Sequence, residues 1–225
     1  MAKGPIAVAL DGPDLGTITR WAHEVAPHVT TLKIGLEAYL RDGDAAVAAA
    51  RDTGCALFLD LKLHDIPNTV AGAARSVARL APDYLTVHAL GGHDMIAAAA
   101  AALPDARITA VTILTSMDAA ALAAVGITGT PLEAAVRLAR LAVDAGARAI
   151  VCSPLEVAAI RAAVPSDITL ITPGVRPIGA EVGDQRRVAT PEQALADGAD
   201  LVVIGRPITG APDPALAAAA IARVL

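Results

Sequence analysis

Short apolar runs rich in Val, Ile and Leu recur along the chain, and longer Ala-rich stretches carrying charged positions fill the intervals. Runs at residues 6–10, 31–34, 56–61, 84–87, 108–113, 149–152, 169–171 and 201–204 predict eight strands. Most are continuously apolar rather than alternating, which marks strands covered on both faces, as in a parallel sheet. Eight strands in 225 residues leave about 28 residues per unit, enough for one strand, one helix and two short loops. Pro67, Pro131, Pro154, Pro191 and Pro214 stand where helices should begin, since the first turn tolerates a missing N–H and suits a fixed φ. Gly54, Gly146 and Gly198 stand where helices should end, just before the next strand. The pattern predicts an α/β chain forming one (β/α)8 TIM barrel over residues 1–225, rather than an open doubly wound sheet.

Composition narrows this picture. Apolar residues make up 55% of the chain but aromatics only 2%, and 54 residues are Ala, so the core must be built from Val, Ile, Leu and Ala. Mean hydropathy is high at +0.54, yet no uninterrupted apolar run of about 18 residues could cross a bilayer. The first residues enter a strand-like run without the regions of a signal peptide, and the two cysteines, Cys55 and Cys152, form no CxxC pair or disulfide framework. A cytoplasmic protein is expected, with both thiols acting as small buried hydrophobes. A net charge of -5 and few aromatics argue against a nucleic-acid partner. An anionic ligand would have to be held by local positive charge.

In barrels of this type the active site is assembled at the C-terminal ends of the strands. The polar residues there are Asp11, Lys33, Asp60 with Lys62, His64 and Asp65, His88, Thr115 with Ser116, Ser153, Arg176 and Arg206. The densest group is Asp60-Leu61-Lys62-Leu63-His64-Asp65. Strict strand alternation would put Asp60 and Lys62 on the inner face and Leu59 and Leu61 toward the helices. A buried ion pair, with Asp65 or Asn68 capping the helix that begins near Pro67, is the plain structural reading. Asp11 and Lys33 arriving at the same face favour a functional one. The loops after strands 7 and 8 carry Gly174, Arg176, Gln185, Gly205 and Arg206, a set suited to a phosphate: glycine admits close backbone approach, and arginine offers a planar fork of donors. Residues 173–187 are long for a barrel loop and are a candidate lid. No further His or Glu at ligand spacing joins His64 or His88, so both are expected to be hydrogen-bonded structural residues.

On these segments the chain resembles the orotidine 5'-phosphate decarboxylase family, in its type 1 subfamily. The resemblance rests on Val8-Ala9-Leu10-Asp11, Leu32-Lys33-Ile34-Gly35, the run from Phe58 to Thr69 (FLDLKLHDIPNT), Leu114-Thr115-Ser116-Met117, Thr172-Pro173-Gly174-Val175-Arg176-Pro177, Asp184-Gln185-Arg186-Arg187 and Val203-Ile204-Gly205-Arg206-Pro207-Ile208. No position expected to carry chemistry departs from the family pattern. The resemblance implies decarboxylation of orotidine 5'-monophosphate (OMP) to UMP without metal or organic cofactor. Asp11 and Lys33 would hold ribose hydroxyls, Asp60 and Lys62 would flank C6 with Lys62 as proton donor, and Thr115 or Ser116 would contact the pyrimidine. Pro173, Arg176, Gln185, Gly205 and Arg206 would complete the substrate site, the last four on the 5'-phosphate. Asp65, a catalytic residue that with Asp60 would hold the Lys62 ammonium in place, and Thr69 would reach into the partner's site, implying a homodimer with shared active sites.

The chemistry can be argued from the residues as well. Loss of CO2 from C6 leaves an sp² carbanion with no neighbouring electron sink, and a cation such as Lys62 beside C6 stabilises it and then protonates it. The rival enzyme is a Mg²⁺-dependent sugar-phosphate aldolase or decarboxylase with the same fold and D-x-K-x-x-D spacing. The Ile66-Pro67-Asn68-Thr69 continuation and the Asp-Gln-Arg run favour the pyrimidine enzyme. A non-catalytic nucleotide-binding barrel is a rival of another class, disfavoured because Lys62 and both carboxylates are present.

Overall fold

The computed structural model describes residues 2–175 and 189–225. Eight strands, β1 (Gly4–Ala9), β2 (Val29–Gly35), β3 (Ala56–Leu63), β4 (Tyr84–His88), β5 (Arg107–Val111), β6 (Ala149–Val151), β7 (Thr169–Thr172) and β8 (Leu201–Ile204), close into a barrel in sequence order. Every neighbouring pair is parallel, including β1 with β8. The observed strand limits fall within two residues of those predicted from the apolar runs.

Helices between successive strands pack on the outside of the barrel. Pro67, Pro131, Pro191 and Pro214 each occupy the first helical turn as predicted, while Pro154 opens a 3-10 turn, Pro154–Glu156, that leads into the helix Val157–Arg161. Gly54, Gly146 and Gly198 adopt φ of 72°, 95° and 107°, the left-handed side that a helix exit needs and a side chain resists. Alanine lines the inner helix faces: Ala134, Ala135, Ala139 and Ala142 are the buried residues of the helix Pro131–Asp144, and their small size lets the helix approach the sheet closely.

Two apolar layers result. The larger lies between sheet and helices and includes Leu59, Leu85 and Val87. The smaller fills the barrel interior with Ala7, Phe58, Ala149, Ile171 and Leu201. Phe58, Ala149 and Leu201 of this layer lie in the N-terminal halves of their strands, while Lys33, Asp60 and Lys62 stand nearer the C-terminal ends of theirs.

Candidate active site

Three neighbouring strands deliver a row of alternating charge to one wall of the barrel mouth. Lys33 Nζ on β2 lies 3.2 Å from Asp60 Oδ2 and 3.8 Å from Asp11 Oδ2, and Lys62 Nζ donates to Asp60 Oδ1 at 2.8 Å. The Lys33 and Asp60 side chains are only 9% and 11% exposed, so each needs the opposite charge beside it. Burial, the largest influence on Asp60, would raise its pKa, but Lys33 and Lys62 together outweigh it and hold the carboxyl below the ordinary aspartate range. Asp60 is therefore ionised at neutral pH. Gly35 makes this row possible: a Cβ there would stand 2.8 Å from Asp11 Oδ1 and 2.9 Å from Lys33 Nζ.

Lys62 reaches the wall by a route that strand alternation did not foresee. Leu59 pairs with Leu85 and Leu63 with Val87, so β3 spends four residues where β4 spends two. The bulge places Lys62 at φ 49°, in the left-handed region, at a cost of about 1–2 kcal/mol for a residue with a Cβ. The Lys62 backbone N–H donates to the Thr86 hydroxyl at 2.7 Å, and Thr86 Oγ1 lies 3.1 Å from Asp60 Oδ1. Leu59 and Leu61 pack outward as expected.

Across the barrel from the charged row, Val111, Ile113 and Val151 on the β5–β6 side form an apolar wall, and Val203 on β8 and Phe58 on β3 add to the apolar lining. The cavity between them has a volume of about 330 Å³. Thr115, Pro173, Gly174, Gly205 and Arg206 also line it, with Arg206 exposed at the start of the short helix Arg206–Thr209. The mouth thus combines a charged wall, an apolar wall and a cationic edge, enough to orient a polar heterocycle carrying an anionic tail.

Several expected residues lie elsewhere. Ser116 is exposed and does not line the cavity, whereas Thr115 does. Asp65 and Thr69 are exposed, and Asp65 lines a separate shallow depression with His64, Ile66, Pro67, Leu90 and Gly91. Neither Asp65 nor Asn68 caps the following helix: Ile66 is its N-cap and offers no side-chain acceptor, while Asp65 Oδ1 accepts the Ile66 N–H at 2.6 Å. Arg176, Gln185 and most of the candidate lid lie outside the described residues. Among the described residues, the buried His88 Nδ1 has no hydrogen-bond partner, so the hydrogen-bonded role expected of this histidine is not seen at that atom. Burial first, then the nearby His64 and Lys62, push its pKa down, so the ring is neutral at physiological pH. Among the described residues, no group of three or more His, Cys, Asp and Glu is arranged to hold a metal.

Cys152 is buried and lines the cavity, whereas Cys55 is only half-buried, with Sγ 3.5 Å from the Val29 carbonyl. Phe58, Gly35, Thr86 and Thr209 belong to the site or its frame and were not singled out from sequence. One of them carried a usable signal: Phe58 precedes the strand-end Asp60 by two positions, which puts it on the same face of the strand.

Known proteins share this architecture and much of this sequence. The family model described as "Orotidine 5'-phosphate decarboxylase / HUMPS family" matches residues 4–221. The orotidine 5'-phosphate decarboxylase of Thermobifida fusca (strain YX) is 69% identical over 224 residues, covering 98% of this chain and 95% of that protein. That of Frankia casuarinae is 57% identical over 238 residues, covering 98% and 87%. The crystal structure of orotidine 5'-phosphate decarboxylase from Lactobacillus acidophilus superimposes with a TM-score of 0.86 at 34% identity, covering 99% of both chains.

Proposed function

This chain belongs to the orotidine 5'-phosphate decarboxylase / HUMPS family, and on that premise we propose that it converts OMP to UMP and CO2, the final step of de novo UMP synthesis, as a cofactor-independent carboxy-lyase. The observation that carries this reading is the charged row Asp11, Lys33, Asp60 and Lys62, buried at Lys33 and Asp60, which ends in an ammonium on the wall of the cavity.

With the pyrimidine between the two walls, C6 and its carboxylate lie against Asp60 and Lys62. The C6–carboxylate bond breaks, its electron pair stays on C6, and CO2 leaves. The Lys62 ammonium gains interaction energy as negative charge moves from the carboxylate onto the ring carbon, so it stabilises the transition state more than the bound substrate. Lys62 then gives a proton to C6, and the resulting amine regains one from solvent. Asp60 holds the ammonium in place through the hydrogen bond that Lys62 Nζ donates to its Oδ1. Asp11 and Lys33 take the ribose hydroxyls, and Thr115, which lines the cavity where Ser116 does not, takes the pyrimidine. Pro173, Gly205 and Arg206 lie at the phosphate end, where the sequence also assigns Arg176 and Gln185.

The same reading makes the protein a cytoplasmic homodimer with shared sites. Asp65 and Thr69 stand outside their own chain's cavity, next to the exposed Ile66 and Leu90, and this supports their use in a partner's site. Free cysteines suit a reducing compartment, and among the described residues no helix is long and apolar enough to cross a membrane.

The test is direct. Purified protein with excess EDTA should consume OMP, seen as a change in pyrimidine absorbance. A flat trace with UMP binding demonstrated would overturn the assignment, and activity lost in EDTA but restored by Mg²⁺ would move the protein to the metal-dependent aldolase or decarboxylase class.

A further inference from the structure

We infer that Thr86 is a positioning residue of this site, its hydroxyl holding both the Asp60 carboxylate and the Lys62 backbone in the arrangement that presents Lys62 to the cavity. The inference rests on the functional reading of Lys62 given above. Thr86 is wholly buried on β4 between Leu85 and Val87, and it does not line the cavity, so it acts through its two neighbours.

Its hydrogen bonds have only one possible direction. The Lys62 N–H can only donate, so the Thr86 oxygen accepts it at 2.7 Å. The single hydroxyl proton is then left for Asp60 Oδ1, 3.1 Å away, and an ionised carboxylate can only accept it. That same Oδ1 receives Lys62 Nζ at 2.8 Å, while Oδ2 faces Lys33. One hydroxyl therefore ties the backbone of Lys62 to the carboxylate that holds its ammonium.

Such a tie is needed at this point of the strand. The extra residues in β3 interrupt its ladder with β4 between Leu59 and Leu63, and the Thr86 side chain takes the Lys62 N–H within that interruption. Lys62 also sits at φ 49°, a conformation that persists in a residue with a Cβ only where the surroundings enforce it. Valine would satisfy the β propensity and burial of position 86 equally well, but it would leave the N–H and Asp60 without this partner.

The test compares Thr86→Val with Thr86→Ser in the OMP assay. Thr86→Val should lower kcat about 10- to 100-fold, the scale of a small displacement of reacting groups, with KM and UMP affinity within about threefold of wild type. Thr86→Ser, which keeps the hydroxyl, should recover kcat to within about threefold. A Thr86→Val enzyme with kcat within about twofold of wild type overturns the inference, and so does a variant that raises KM and lowers thermal stability in step without a selective loss of kcat. If Thr86→Val does not fold, the pair Thr86→Ser and Thr86→Ala, which differ only in the hydroxyl, makes the same comparison. A readout independent of turnover separates this from failure of the functional reading: ¹³C-detected titration of the Asp60 carboxyl, faced by Lys33 and Lys62 with His88 beyond, should move to higher pH in Thr86→Val and return in Thr86→Ser. An unmoved titration overturns the inference even if the wild type proves inactive on OMP.

Discussion

Lys62 combines features that rarely coincide in a residue kept only for packing: a left-handed backbone, a side chain 31% exposed to the cavity mouth and a tip bonded to a buried carboxylate. The strain is local, and it accompanies an ammonium placed on the wall of the cavity. Lys62→Ala should lower kcat about a thousandfold or more while UMP binding stays measurable by calorimetry, because the lost interaction belongs mainly to the transition state. Wild-type kcat in that variant would remove Lys62 from the mechanism. The identities of Asp60 and Lys62 were legible in the D-x-K spacing, since charge at a strand end asks for a reason. Thr86 was not, because a threonine inside an apolar strand reads as ordinary β-branched filler until its hydroxyl is seen between two partners.

At the scale of elements, the eight strands were readable because a parallel barrel buries both faces of each one, and continuous apolar runs follow directly. The helix exits were readable for a different reason, namely that a positive φ selects glycine. Gly198 shows this most clearly, at φ 107° and with Arg161 Cγ only 3.1 Å from where a Cβ would stand. Arg161 in turn donates to the Gly198 carbonyl and to Asp200, whose carboxylate also accepts the Leu170 N–H at the start of β7. Gly198→Ala should therefore destabilise the fold by about 1–3 kcal/mol in urea unfolding, with kcat unchanged because the turn lies at the end of the barrel opposite the site. A midpoint equal to wild type would show that the turn relaxes without cost. The bulge in β3 is the element that alternation could not supply: it depends on how β3 registers against β4, and nothing within β3 alone announces two extra residues.

For the whole molecule, a net charge of -5 offers no long-range attraction for a phosphorylated ligand, so recognition must come from local placement. Lys33 on β2, Lys62 on β3 and Arg206, which opens the short helix after β8, come from separate parts of the sequence yet line one cavity. Asp65 and Thr69 are exposed and stand outside their own chain's cavity. On the shared-site reading proposed above, mixing inactive Lys62→Ala with inactive Asp65→Ala protein should restore part of the activity through hybrid dimers that contain one intact site. No recovery after proven subunit exchange would rule out sharing. By itself the sequence determined the barrel and the set of polar residues at its mouth, because burial on both faces, helix entry and helix exit are each imposed within a few consecutive residues. Only the tertiary structure decided which of those polar residues meet. It joined Asp60 to Lys33 and to Thr86, chose Thr115 over Ser116, and left Asp65 outside its own cavity, because contacts between strands depend on register and closure, which no single segment contains.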